Sequence, residues 1–366
     1  MANSTVLITG GAGFIGSTLA LALKSRHPDW RVVALDNLTR RGSELNRSRL
    51  IEGGVHFVHG DVRIPSDLEL EAFAIDTVID CSAEPSVLAG YSSPAPMIAT
   101  NLTGTANVLE LARRRRARLL FLSTSRIYPI EGLRALAFTD GSTRFQLAEA
   151  QPMPGASALG VSEDFPLAGH RSLYGATKLA SEMLAQEYHH AFGMPLVIDR
   201  CGVVTGPWQM ARTDQGVFAL WVAAHRFGRP LTYEGFGGSG HQVRDLIHVD
   251  DLVDLVDLQL ARFSGLDGGV FNVGGGPERA LSLVETTALC REITGREIAI
   301  RPVEVERPGD VPVYVSDCRK LERATGWRPR RDARTTLEDI HRWIAGHEDL
   351  LARVLVEPKE PPCRPS

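Results

Sequence analysis

Over the first 200 residues, short continuous apolar runs alternate with longer stretches in which apolar residues recur every three or four positions. Short apolar runs suit strands buried on both faces, and a 3.6-residue period suits a helix with one buried stripe. The pattern predicts strands at 5–9, 31–35, 55–59, 77–80, 119–122 and 196–200, and helices at 15–25, 103–115 and 174–192. Strands spaced by helices form parallel βαβ units, so the expected fold class is α/β with a doubly wound parallel sheet in residues 1–201. Right-handed crossovers place helices on both faces of such a sheet. Beyond about Gly202 the regularity breaks up around glycine clusters at 235–240 and 274–277. A smaller C-terminal lobe is expected from 202–244 and 276–345. A segment of about 245–275 would return to the first lobe and end in a buried strand at 270–273. The proline-rich stretch 357–366 reads as a disordered tail.

Composition narrows the function class. With 43% hydrophobic and 23% charged residues in 366, the chain can bury a large core, which excludes global disorder. No apolar run approaches the roughly 18–20 residues a membrane span needs, so no membrane is expected. A net charge of −4 argues against a protein that coats nucleic acid. The run Arg113–Arg116 falls at a predicted helix C-terminus, where cations complement the helix dipole, and reads as a solvated helix end. The five cysteines are scattered without metal-ligand spacing, so no metal is expected. With no basic, apolar leader before the first strand, they imply reduced thiols in a cytoplasm.

Candidate chemistry begins where the first strand ends. Gly10, Gly13 and Gly16 form a GxxGxxG turn between that strand and a helix opened by Phe14 and Ile15. Glycines there permit the tight turn and let a pyrophosphate approach the backbone at a helix N-terminus; they also allow close helix–strand packing. Asp36, twenty residues beyond Gly16 and followed by Asn37, is placed to accept hydrogen bonds from ribose hydroxyls. A carboxylate there repels a 2′-phosphate, so the expected cofactor is NAD rather than NADP, although Arg40 and Arg41 follow closely. The pattern is that of a Rossmann dinucleotide site. Asp61 and Val62 end the third strand, where the adenine edge is expected, although Asp61 also suits a turn.

A second constellation lies downstream. Tyr174 and Lys178 are spaced i, i+4 and share a helix face, which brings an ammonium near a phenol. A phenol is a poor base at neutral pH unless nearby positive charge favours the phenolate. Ser123 and Thr124 follow a predicted strand at the carboxyl edge of the sheet, where open α/β sheets bind ligands. A hydroxyl there orients a reacting alcohol, or merely caps the strand end. The reading that follows is Thr124, Tyr174 and Lys178 as catalytic residues.

Together these elements resemble the extended short-chain dehydrogenase/reductase family, in its nucleotide-sugar epimerase/dehydratase branch, over about residues 5–345. Further matches are Asp36-Asn-Leu38, Gly60-Asp-Val62, the 101–110 segment that starts at Asn101, Gln242-Val-Arg-Asp245 with His248-Val-Asp-Asp251, Arg307-Pro-Gly-Asp310 and Gly326-Trp-Arg-Pro329. The resemblance implies a nucleotide-diphosphate sugar substrate and NAD held through turnover. It implies that Asn101 helps shape the cofactor site and that Arg244 and Arg307 grip the diphosphate; Arg244 could instead pair with Asp245. Ser123, Thr124, Ser125, Arg126 and Gln215 complete the implied substrate contacts. A homodimer through the 103–115 and 174–192 helices is implied as well.

Within the branch, Asp36–Gly42, Ser123–Arg126, the long insert before Tyr174, Asp214-Gln-Gly216 and Gly240–Asp245 are similar to the CDP-paratose 2-epimerase subgroup. Oxidation of a sugar carbinol to a ketosugar, followed by hydride return to its other face, is the implied reaction. The 4,6-dehydratases carry Thr-Asp-Glu where this chain has Thr124-Ser-Arg126. Asp80-Cys-Ser-Ala-Glu84 and Thr205-Gly206 depart from the subgroup, which usually has His-Leu-Ala-Ala/Gly-Gln and Tyr-Gly. A UDP-glucose 4-epimerase-like enzyme and an NAD-binding regulatory module without turnover are the competing readings, with a net dehydrogenase or decarboxylase a third.

Overall fold

Seven of the apolar runs enter one sheet. In the computed structural model, which describes residues 4–210 and 215–355, these strands are β1 (Thr5–Thr9), β2 (Arg31–Asp36), β3 (His56–His59), β4 (Thr77–Asp80), β5 (Arg118–Thr124), β6 (Leu196–Cys201) and β7 (Gly269–Val273). They pair in parallel in the order β7-β6-β5-β4-β1-β2-β3.

The two-residue period of a strand sends alternate side chains into two cores. Val6, Ile8, Val32, Ala34, Leu120 and Leu122 join one cluster with helix α1 (Phe14–Arg26) and the helix Val249–Ala261. Leu7, Val33, Leu35, Leu119 and Phe121 join the other, with helices α2 (Gly104–Arg115) and α3 (Leu173–Phe192). Helices on both faces are what an all-parallel sheet requires. The strand order reverses between β1 and β4, so a crevice opens beyond their carboxyl ends.

Two departures from the pattern-based expectation bear on the site, beside shifts of a single residue at other boundaries. Strand β5 continues to Thr124 because Ser123 and Thr124 pair with Arg200 and Cys201 of β6. The helix expected from Thr103 is preceded by a π-helical stretch, Ala99–Thr103, which inserts one residue and turns Asn101 inward.

Beyond the sheet, two hairpins in the insert, Phe138–Asp140 with Phe145–Leu147 and Ala156–Ser157 with Gly160–Val161, surround a core of Tyr128, Phe165 and Tyr314. Val203–Thr205, Val243–His248, Ala280–Ser282 and Val313–Tyr314 build a small mixed sheet. Beside it, helices Val217–Phe227, Leu283–Thr294 and Ala333–Gly346 pack around Trp221, Leu337 and Trp343. No helix among the described residues is long and apolar enough to cross a membrane. The expected tail at 357–366 and Asp214 lie outside the described residues.

One buried carboxyl in the sheet generates a stability prediction. Asp199 on β6 is fully buried and accepts a hydrogen bond from Gln259 Nε2 (2.8 Å). Burial pushes its pKa up to about 7, against the lowering effect of that hydrogen bond. The folded chain therefore holds this proton more tightly than the unfolded chain. The associated stability is complete below the ordinary carboxylate range and is lost as pH rises through about 7. Asp199→Asn keeps the hydrogen bond without a titrating group. It is expected to raise the melting temperature by roughly 3–6 °C at pH 8 and to leave it nearly unchanged at pH 4, as read by calorimetry.

Candidate active site

The nucleotide side starts at the glycine turn. Gly10 has φ +62°, and a Cβ there would lie 2.8 Å from the Cys81 carbonyl oxygen. A Cβ on Gly16 would lie 2.2 Å from the Gly10 carbonyl oxygen, so β1 and α1 approach as closely as backbone allows. Phe14 and Ile15 open α1 and pack on the first core. Gly13 caps the helix without a side-chain hydrogen bond, leaving first-turn N–H groups for an anion.

Asp36 stands beside this turn. Its Oδ2 accepts from Ala12 N (3.0 Å) and its Oδ1 from Leu38 N (2.8 Å). Burial pushes its pKa up, and these N–H groups pull it back. The cradle that a Cβ would fill, the helix end and the fixed carboxylate together fit a dinucleotide pyrophosphate and ribose. Asp61 is already engaged: Arg63 holds it at 2.5 Å and Asn37 Nδ2 donates to it at 2.9 Å. Chiefly through the Arg63 hydrogen bonds, its pKa falls to about 2. Its carboxylate is thereby fixed at the rim of the nucleotide side with Asn37 and Arg63. Val62 is buried against Gly104, where an added Cβ would meet it at 2.7 Å.

On the reacting side, Tyr174 and Lys178 are buried, at 9% and 2% exposure. The Thr124 hydroxyl lies near the Tyr174 phenol and acts on its pKa. Burial pushes the phenol up to about 12, Thr124 and Arg126 lower it, and Glu84 raises it. The Lys178 ammonium lies 3.9 Å from the centroid of the Phe121 ring. Burial lowers its pKa, while Asp80 and Glu182 raise it. In the protein alone its main charged neighbours are these two carboxylates.

Two expectations change. Phe121 and Ser123 share one face of β5 by the two-residue period, and that face meets α3. The Ser123 hydroxyl donates to Glu182, itself paired with Arg200 at 2.9 Å, so Ser123 supports α3 and is not turned to substrate. Asn101 uses both ends of its amide in clamping. Its Oδ1 accepts from Glu84 N (2.7 Å), and its Nδ2 donates to Glu84 O (3.1 Å) and Thr177 Oγ1 (3.1 Å). It ties the loop after β4 to α3 with both of its N–H groups, and its Oδ1 keeps a second lone pair.

The remaining residues expected to meet substrate come together. Arg126, Gln215, Arg244 and Arg307 line one cleft with Phe218 and Trp221. Thr124 Oγ1 accepts from Arg126 N (3.2 Å) and starts a short turn, Ser125–Ile127, on which Ser125 is half-buried. Arg126 Nη1 donates to Gly309 O (3.1 Å). Arg244 pairs with Asp310 at 2.5 Å, not with Asp245, and Arg307 pairs with Glu234. Gln215 Oε1 and Gln242 Oε1 are buried without a hydrogen-bond partner among the described residues. Glu234 escaped the sequence reading because nothing in the short strand Leu231–Glu234 marks it as an arginine partner.

The close approach at Gly16 sets a direct test. Gly16→Ala must push β1 and α1 apart, at a cost of about 1–3 kcal/mol to the bound geometry. NAD affinity measured by equilibrium dialysis is expected to fall roughly 5- to 150-fold, while the far-UV circular dichroism stays that of the parent.

The comparisons with known proteins agree with this geometry. The NAD dependent epimerase/dehydratase family profile matches residues 6–274. CDP-paratose 2-epimerase of Salmonella typhi is 29% identical over 93% of this chain and 99% of its own. The dTDP-glucose 4,6-dehydratase of Xanthomonas campestris pv. campestris (strain B100) is 32% identical over 89% of each chain. The structure of UDP-glucuronic acid 4-epimerase from Bacillus cereus, in complex with UDP-glucuronic acid and NAD, superimposes with a TM-score of 0.77 at 26% identity, covering 93% of this chain and 99% of that one. The chain belongs to the NAD-dependent epimerase/dehydratase family and is, by that membership, an enzyme with NAD as its cofactor.

Proposed function

We propose that the chain is a cytoplasmic nucleotide-sugar epimerase of the CDP-paratose 2-epimerase kind, inverting a sugar carbinol by transient oxidation and hydride return. The observation that carries this reading is the position of Arg126. Its N–H bonds Thr124, its charge acts on Tyr174, and it lines the cleft with Arg244 and Arg307. The reacting hydroxyls and a cationic cleft suited to a diphosphate thus meet at one residue.

In this mechanism the three arginines hold the diphosphate and Gln215 contacts the nucleotide end. Thr124 fixes the reacting hydroxyl by a hydrogen bond. Tyr174 Oη takes the hydroxyl proton as the carbinol is oxidised and gives it back when the carbinol re-forms. Lys178 holds positive charge beneath the site. Bound NAD supplies the hydride acceptor and donor, and a positive ring that favours the phenolate. Protons and hydride are both returned, so the reaction has no net redox change.

Ser125 and Arg126 stand where the 4,6-dehydratases have an acidic pair, so elimination of water lacks its acid and base. A UDP-sugar 4-epimerase would use the same residues on another carbon, and UDP-glucuronate 4-epimerase 4 of Arabidopsis thaliana is 28% identical to this chain. CDP-, UDP-, GDP- and dTDP-sugars incubated in deuterated water and followed by NMR separate these readings. Inversion at carbon 2 of a CDP-sugar with the carbon-bound hydrogen retained is expected. Inversion at carbon 4 of a UDP-sugar replaces the finer reading, and solvent deuterium at the inverted carbon sinks hydride return. Tyr174→Phe should lower kcat about 10²–10⁴-fold, and unchanged turnover would remove the tyrosine from the mechanism.

We further propose a homodimer through α2 and α3. Met183 and Leu184 of α3 are exposed at 60% and 37%, adjacent apolar side chains on the side of the helix turned away from the sheet. Small-angle scattering should give twice the chain mass, and Met183→Glu should shift it towards the monomer; a monomeric parent refutes the dimer.

A further inference from the structure

Lys178 is one of only four lysines in the chain, and it is almost wholly buried. An ammonium out of water keeps its charge only if an opposite charge faces it. The groups around it come from four elements: Glu182 from its own helix, Asp80 and Cys81 from the end of β4, Cys201 from β6, and the Phe121 ring from β5. Burial raises both thiols far above their ordinary range, so they stay neutral. The Phe121 ring face attracts the cation but carries no net charge.

Of the two carboxylates, Glu182 is already committed. Arg200 donates to it from Nε (3.1 Å to Oε2) and Nη2 (2.9 Å to Oε2), and Ser123 donates to its Oε1. Asp80 is fully buried and differs in one respect. All its donors converge on Oδ1: Thr9 Oγ1 (2.6 Å), Ser82 N (3.0 Å) and Ser82 Oγ (2.5 Å). Its Oδ2 has no hydrogen-bond partner among the described residues. In the ladders Asp80 lies beside Phe121 of β5 and beside Thr9 of β1, which puts it at the strand-order reversal and next to the ring that Lys178 covers.

We propose that Asp80 is a positioning residue for the reaction: it is the fixed counter-ion that keeps Lys178 an ammonium inside a dehydrated site. Arg200 and Glu182 neutralise each other, which leaves Asp80, beside the Phe121 ring that Lys178 covers, to balance the ammonium without a direct ion pair. Of the charged neighbours of Lys178, Asp80 raises its pKa most. Thr9 and Ser82 hold Oδ1, which leaves Oδ2 available to the ammonium.

Asp80→Asn tests this while keeping the acceptor that Thr9 and Ser82 use. With four lysines, labelling at 13Cε gives a spectrum simple enough to titrate, and Lys178→Met identifies the Lys178 resonance. In the full-length protein, Lys178 is expected to titrate at least about one pH unit lower in Asp80→Asn than in the parent, with Lys24 and Lys320 unmoved. The alkaline limb of the activity profile should move down by the same amount. An unshifted Lys178 resonance overturns the proposal. Should Asp80→Asn alone not fold, melting curves in the Lys178→Met background decide. There Asp80 is an uncompensated buried charge, so adding Asp80→Asn should raise the melting temperature; a double variant that melts no higher than Lys178→Met also overturns it.

Discussion

Everything at the reacting end of this molecule depends on burying charge under one helix. Along α3, Tyr174, Lys178 and Glu182 recur at i, i+4 and i+8, so all three face the sheet. That stripe can be buried only if its charges are matched. The Glu182–Arg200 pair, at 1% and 6% side-chain exposure, matches one of them. Removing one partner of such a pair typically costs about 3–5 kcal/mol, because it leaves an uncompensated charge in the core. Arg200 then reaches Tyr128 (3.3 Å), Tyr128 donates to Asn272 Oδ1 (2.7 Å), and Asn272 donates to Val161 O (2.9 Å). The network crosses β6 and β7 and ends in the insert, so the register of α3 on the sheet is tied to the wall of the cleft. Tyr174 and Lys178 inherit their positions from that register.

Much of this was legible in the chain itself, for reasons that differ from element to element. The parallel sheet was legible because strands buried on both faces leave uninterrupted apolar runs, as in Thr5–Thr9 and Arg31–Asp36. The glycine turn was legible because Gly16 is demanded by a backbone contact and not by side-chain taste. The four cleft residues Arg126, Gln215, Arg244 and Arg307 come from four distant segments, and only a family resemblance brought them together beforehand. The insert hairpins were missed because strands of two or three residues carry no detectable period.

The corrections are of another kind. Ser123 sits on a face that the two-residue alternation already determines, yet its partner Glu182 lies 59 residues away. Asn101 turns inward through a π-helical stretch that no local preference announces. Asp61 is claimed by Arg63, two residues on, a pairing the sequence permits but does not impose. In each case the residue was found and its partner was not. Polar side chains in a core are defined by the group they satisfy, and that group comes from the tertiary fold.

The cleft follows the same rule of matched charge, with a different purpose. Its arginines are not bare cations awaiting an anion: Arg244 is paired with Asp310, and Arg307 with Glu234. Burial lowers the pKa of Arg244, and Asp310 opposes that effect. A guanidinium has five N–H donors in a planar fork; at Arg244, Asp310 and the Val311 carbonyl take Nη2 and the Val243 carbonyl takes one N–H of Nη1, which leaves Nε and the other Nη1 N–H. An incoming diphosphate can therefore be gripped without first breaking the pairs that hold the arginines in place. This is how a chain with a net charge of −4 can present a fixed cationic wall to a doubly charged ligand. The carboxylates do not cancel the site; they orient it, as Glu182 orients Arg200 beneath the helix.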